Sequence, residues 1–127
     1  MTNDELIELV ERYFAAVDGE RFDLLQQLLT ADCVFSVKTH NIELIGITAI
    51  EGMFRRLWAN HAAVAHNDFS HIVAADDGLI ASQFTVINTE LDGSRTCKSN
   101  CNFFVTKDRR FSSIAVYMAG ENTLHAD

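Results

Sequence analysis

From residue 66 onward the chain is almost wholly strand-like, and the breaks between its runs are only a few residues long. Runs rich in β-branched and aromatic residues cover about 66–74, 79–90, 95–106 and 111–118. The breaks are Asp76-Asp77-Gly78, Asp92-Gly93 and Lys107-Asp108-Arg109. The first two carry glycine, which supplies the backbone freedom of a tight turn; the third is turn-like by polarity alone. Connections this short favour antiparallel neighbours, because a parallel crossover needs a dozen residues or more. The second half of the chain is therefore expected to form a four-strand meander.

The first half reads differently. Thr2-x-x-Glu5 is a capping box. Leu6, Val10, Tyr13 and Val17 follow at helical spacing, with Ile7 and Phe14 beside them, and Gly19 stands where a helix should stop. The spacing predicts a helix over about 3–18 and a short one over 21–29, with Phe22, Leu25, Leu28 and Leu29 on one side. Cys33–Val37 reads as a strand, and Ile42–Ile45 as a short partner. Thr48-x-x-Glu51 is a second capping box, before a third helix with Ile50, Met53, Phe54, Leu57 and Trp58 as its stripe. Helices segregated from an antiparallel sheet make an α+β arrangement. The 127 residues hold no proline, no repeat and no linker, and one domain spanning 1–127 is expected.

Charge narrows the partners. Asp and Glu number 18 against 10 Lys and Arg, a net charge of −8. That argues against nucleic acid held through its phosphates and against an anionic membrane surface. No apolar run approaches the roughly 20 residues of a membrane span. The start, MTNDELIELV, is acidic where a secretory signal is basic and then apolar. Three cysteines, Cys33, Cys97 and Cys101, are an odd number. Reduced thiols in a cytoplasmic protein are expected. The cysteine spacing suits no metal site, and neither a metal nor another cofactor is expected.

The strand 95–106 carries Lys98, Asn100, Asn102 and Phe104 on one face. In 111–118, Phe111, Ser113, Ala115 and Tyr117 alternate with Ile114, Val116 and Met118. Neither face of this last strand looks solvated, so a second subunit covering the outer face is expected, giving a homodimer. The helix-side face is read as Asn100, Asn102 and Tyr117 mixed with Phe104 and Ala115. Polar groups there are either paired in a filled core or line a cavity for a small apolar molecule.

Several segments carry a family likeness: Glu11-Arg12-Tyr13-Phe14-Ala15-Ala16-Val17, Gly46-x-x-Ala49-Ile50, Asn102-Phe103-Phe104 and Gly120-Glu121-Asn122-Thr123-Leu124-His125-Ala126. In this order they span nearly the whole chain, which resembles the nuclear transport factor 2-like superfamily, including its SnoaL-like polyketide cyclase and ketosteroid isomerase branches. Bacterial ketosteroid isomerase looks closest. The resemblance implies a cystatin-like, cone-shaped curved sheet packed on a long N-terminal helix, with two shorter helices closing one side. It also implies that Tyr13 and Asn102 stand where that enzyme holds an enolate oxygen with a tyrosine and a protonated aspartic acid, the latter kept neutral by its apolar surroundings. An amide can still donate to an oxyanion. The isomerase's catalytic carboxylate falls on Val37, which cannot take a proton.

A replacement base is sought among the histidines. His66 and Asp68 share one face of the strand 66–74, and histidine has the right intrinsic pKa for acid–base work. His66 also resembles a histidine at the start of this strand in the polyketide cyclase-like branch. His71 is read onto the opposite strand face, His40 into a loop at the cone mouth, His61 after the third helix and His125 into the tail. Phe35, Val37, Phe54, Trp58, Asn100, Phe104, Ala115 and Tyr117 are the expected pocket wall. The leading expectation is a cofactor-free isomerase or lyase acting on a small apolar carbonyl or hydroxyl compound, with Tyr13 and Asn102 polarising an oxygen and His66, with Asp68, moving the proton. The alternatives are a non-catalytic binding protein of the same fold, which would have donors and no base, and an adaptor with a filled cone and an exposed apolar patch outside.

Overall fold

The structure, a computed structural model, describes residues 1–124. The elements run α1 (Asn3–Asp18), α2 (Phe22–Gln27), β1 (Leu29–Val37), a 3-10 turn (Lys38–His40), β2 (Ile42–Ile45), α3 (Ile47–Asn60), β3 (His61–Ala74), a second 3-10 turn (Ala75–Asp77), β4 (Leu79–Glu90), β5 (Arg95–Lys107) and β6 (Arg110–Tyr117). The six strands form one sheet in the order β2-β1-β6-β5-β4-β3. Strands β3 to β6 are the antiparallel meander, β1 and β2 pair antiparallel, and β1 lies parallel to β6.

The first helix starts as its sequence dictates. The Thr2 side chain accepts from the Glu5 N–H and the Glu5 carboxylate accepts from the Thr2 N–H, so two otherwise orphaned donors are satisfied. The second predicted capping box does not form. Helix α3 begins at Ile47 with Gly46 as its N-cap at φ +89°, a conformation for which glycine, not Thr48, is the residue required. Two strands begin earlier than predicted, β1 at Leu29 and β3 at His61. The third turn also differs in kind, since Asp108 and Arg109 both take positive φ without glycine.

Irregularities interrupt the ladders within β1, between Asn67 and Ser70 in β3, and at Ser112 of β6, opposite Val105 and Thr106 of β5. An extra residue at such a point bends and twists its strand, which curls the sheet. Helix α1 lies in the resulting concavity and buries Leu6, Leu9, Val10, Tyr13, Phe14 and Val17. Tyr13 meets Phe14, Phe54, Phe104 and Phe111 edge-on at centroid distances of 5.0–6.4 Å. Removing one such buried ring typically costs about 3–5 kcal/mol.

The register decides which residues look inward. Directly opposed residues of antiparallel strands share a face. Asn102 is opposed to Val116 and Phe104 to Ile114, so Ile114 and Val116 are the buried face of β6, and Met118, just past its end, is buried too. Ala115 and Tyr117 therefore point outward, contrary to expectation; Tyr117 is 42% exposed and packs against Phe103 on the outer face. Phe111, on the outward side by simple alternation, is fully buried because the β5–β6 irregularity shifts it inward. The bulge in β3 does the same for His71, which lies opposite Ser82 on the concave face and hydrogen-bonds its hydroxyl at 2.7 Å.

Candidate active site

Between α1, α3 and the concave face lies a cavity of about 40 Å³. Its wall includes Tyr13, Phe14 and Val17 from α1, Phe54 and Leu57 from α3, Phe35 from β1 and Val116 from β6. Into this apolar wall project His66, Asn88, Asn100 and Asn102. That volume accommodates roughly three waters.

His66 is fixed by the end of α1. Its Nδ1 lies 2.6 Å from Asp18 Oδ1, and its backbone N–H donates to Asp18 Oδ2 at 2.8 Å. The ring packs against Phe14 and Phe84 at 4.6 and 5.3 Å. With Nδ1–H donated to the carboxylate, the lone pair of a neutral imidazole sits on Nε2. Nε2 makes no hydrogen bond among the described residues, so it is available as a base. The carboxylate that meets His66 is thus Asp18, not Asp68. Asp68 sits exposed in the bulge at φ +57° and is absent from the cavity wall, because the extra residue breaks the alternation that would have set it beside His66. Asp18 carries its own signal in the sequence: a carboxylate at the C-terminal end of a helix, where the helix dipole favours cations, is locally unfavourable. A local rule broken without local compensation often marks a site.

Tyr13 is 2% exposed, and its hydroxyl makes no hydrogen bond among the described residues. Burial, with Cys33 and Asp18 acting in the same sense, raises its pKa well above the usual 10, so it remains a proton donor through neutral pH. Asn102 is 3% exposed with an unpartnered side-chain oxygen. Asn88 is 1% exposed, and both its amide atoms lack a partner. Asn100 differs: its Oδ1 accepts from the Ala119 N–H at 3.1 Å. Unmet buried amides are rare because each forfeits its hydration without replacement. Asn88 was missed in the sequence, although a polar residue alternating with Phe84 and Val86 was visible there.

The other expected wall residues divide. Phe35, Phe54 and Asn100 line the cavity. Val37 and Phe104 are buried in the core behind it. Trp58 stacks on Phe54 and donates its indole N–H to the Val17 carbonyl at 2.9 Å, joining α3 to α1 instead of facing the cavity. Ala115 and Tyr117 are on the other side of the sheet. Of the remaining histidines, His61 Nδ1 contacts the Leu57 carbonyl and His40 lies beside the tail. His125 and Ala126 lie outside the described residues.

A family model described as a SnoaL-like domain matches residues 10–114. No curated protein matches the chain. Among solved structures, a presumed polyketide cyclase from Xanthomonas campestris pv. campestris superposes with a TM-score of 0.82 at 15% identity, over 90% of each chain. A presumed SnoaL-like polyketide cyclase from Shewanella denitrificans gives 0.81 at 14% identity, over 92% of this chain and 91% of that one. A hypothetical protein with a ketosteroid isomerase-like fold from Catenulispora acidiphila, solved with trimethylamine, gives 0.77 at 17% identity, over 87% and 84%. At these identities the likeness is one of fold. Among the described residues, no helix is long and apolar enough to cross a membrane.

Proposed function

The chain belongs to the SnoaL-like domain family, and from that premise we propose that it is an acid–base enzyme of the isomerase, cyclase or lyase type. Its substrate would be a small, largely apolar compound with an enolisable carbonyl. The observation that carries this reading is the Asp18–His66 pair, whose histidine lies on the wall of the same cavity as Tyr13 and Asn102.

The proposed chemistry needs only these side chains. His66 Nε2 removes a proton from the carbon beside the carbonyl. The electron pair of that C–H bond becomes the C=C bond of the enolate and the carbonyl π pair moves onto the oxygen, to which the Tyr13 hydroxyl and the Asn102 amide N–H donate. Donors placed where charge develops typically contribute a factor of about 10²–10³ each. The imidazolium formed is stabilised by Asp18. The imidazolium then returns its proton to another carbon of the enolate, to a β-hydroxyl that the enolate expels as water, or to the oxygen of a second carbonyl on which the enolate carbon closes a ring. Because the carboxylate position of ketosteroid isomerase is Val37, the proton path runs from β3 instead of β1.

The test is deuterium exchange at the α-carbons of 2-tetralone in D2O, followed by proton NMR. The expected result is exchange above the buffer rate that His66→Ala reduces by about 10²–10⁴-fold. Binding of the ketone without exchange would replace the enzyme with a binding protein of the same fold.

We further propose that two copies pair through the outer sheet face. Ile72, Leu79, Phe103, Val105 and Tyr117 are exposed there, a larger apolar surface than isolated hydrophobes explain. Sedimentation should give a dimer that Phe103→Lys dissociates; a monomeric wild type at micromolar concentration would end this proposal.

A further inference from the structure

The chain's own tail forms part of the cavity wall. After β6 ends at Tyr117 no helix or strand forms through residue 124. Thr123 and Leu124 nevertheless lie on the cavity wall, and Leu124 packs against the core. The tail is fastened at successive points. The Met118 N–H donates to Thr39 Oγ1 at 3.4 Å and the Ala119 N–H to Asn100 Oδ1 at 3.1 Å. His40 Nε2 meets the Gly120 carbonyl at 3.1 Å, while Thr39 Oγ1 meets His40 Nδ1 at 2.9 Å. Lys98 Nζ donates to the Glu121 carbonyl. Gly120 takes φ +67°, a conformation that lets the chain turn there.

We propose that residues 119–124 form a strap that gates the cavity, with His40 and Lys98 as its two latches and Leu124 as the stopper. The inference rests on the acid–base reading of the cavity. At about 40 Å³ the cavity is small for a bicyclic ketone, so a ligand of that class needs part of the wall to move. The strap is the part of the wall best suited to yield. Two of its three side-chain ties come from half-buried or exposed side chains and the third from buried Asn100; it belongs to no sheet or helix, and it contributes one apolar side chain to the core. The rest of the wall consists of α1, α3 and strands tied into the ladder. Segments with few buried apolar contacts and exposed hydrogen bonds open at the lowest free energy.

The gate predicts how binding rates respond to the latches. Association of 2-naphthol, followed by its own fluorescence in stopped flow, should quicken by about two- to tenfold in Lys98→Met and again in His40→Ala, the range one net hydrogen bond carries. Leu124→Ala should quicken it as well. Hydrogen exchange at the Ala119 N–H should rise in the same order. Equal association rates in all four proteins would overturn the gate and leave the pocket standing. Binding by none of them would overturn the pocket reading, and the gate with it.

Discussion

Asp18 Oδ1 and His66 Nδ1 stand 2.6 Å apart, joining the last residue of α1 to the sixth residue of β3. The same carboxylate also receives the His66 backbone N–H, so it fixes both the strand and the ring. This leaves Nε2 as the free nitrogen.

Replacing Asp18 by Asn should keep the fold and lower exchange of 2-tetralone by about 10²–10⁴-fold, the range for a carboxylate that orients a general-base histidine. The amide favours the other tautomer, so the pH profile of exchange should change along with its rate. Asp68→Asn should leave both unaltered. A profile that moves with Asp68 and not with Asp18 would reverse the assignment.

Tyr13→Phe removes a buried donor without changing the ring. Affinity for 2-naphthol, titrated by fluorescence, should fall by about 1 kcal/mol or more if the hydroxyl meets the ligand oxygen. An unchanged affinity would remove Tyr13 from the site.

Asn102→Leu should separate stability from function. The buried amide has an unpartnered oxygen, so an apolar side chain of similar size should leave thermal stability equal or raise it by up to about 1 kcal/mol. The same variant should lose exchange activity. A clear fall in melting temperature would instead mark Asn102 as a structural residue.

Cys33 supplies a pH prediction. Burial, and next the nearby Asp32, push its thiol from about 9 up to about 12. Above pH 9 the unfolded thiol loses its proton while the folded one keeps it, so the unfolded state binds fewer protons and stability falls as pH rises towards 12. The slope approaches about 1.4 kcal/mol per pH unit. Urea unfolding of wild type and Cys33→Ala between pH 8 and 11 should show the steeper decline in the wild type; parallel declines would contradict it.

The kind and order of the elements were legible in the chain, though not every boundary. The capping box at Thr2, the helical stripe from Leu6 to Val17 and the glycine turns at Gly78 and Gly93 are local signals, and local physics settles them. Gly78 takes φ +66°, and a Cβ there would lie 2.7 Å from Thr106 Oγ1, so its residue type follows from position alone. The family likeness points to Tyr13 and Asn102, and to His66 together with the intrinsic pKa of histidine. What these side chains meet depends on how the strands pair and pack. One extra residue in β3 turned Asp68 out to solvent and His71 in, and the β5–β6 register placed Tyr117 outside. Alternation is a property of one strand, whereas bulge and register belong to pairs. Asp18 and His66 are 48 residues apart, and no periodicity links them. Their contact exists because a curled sheet wraps the end of α1, a consequence of packing that no window of sequence contains.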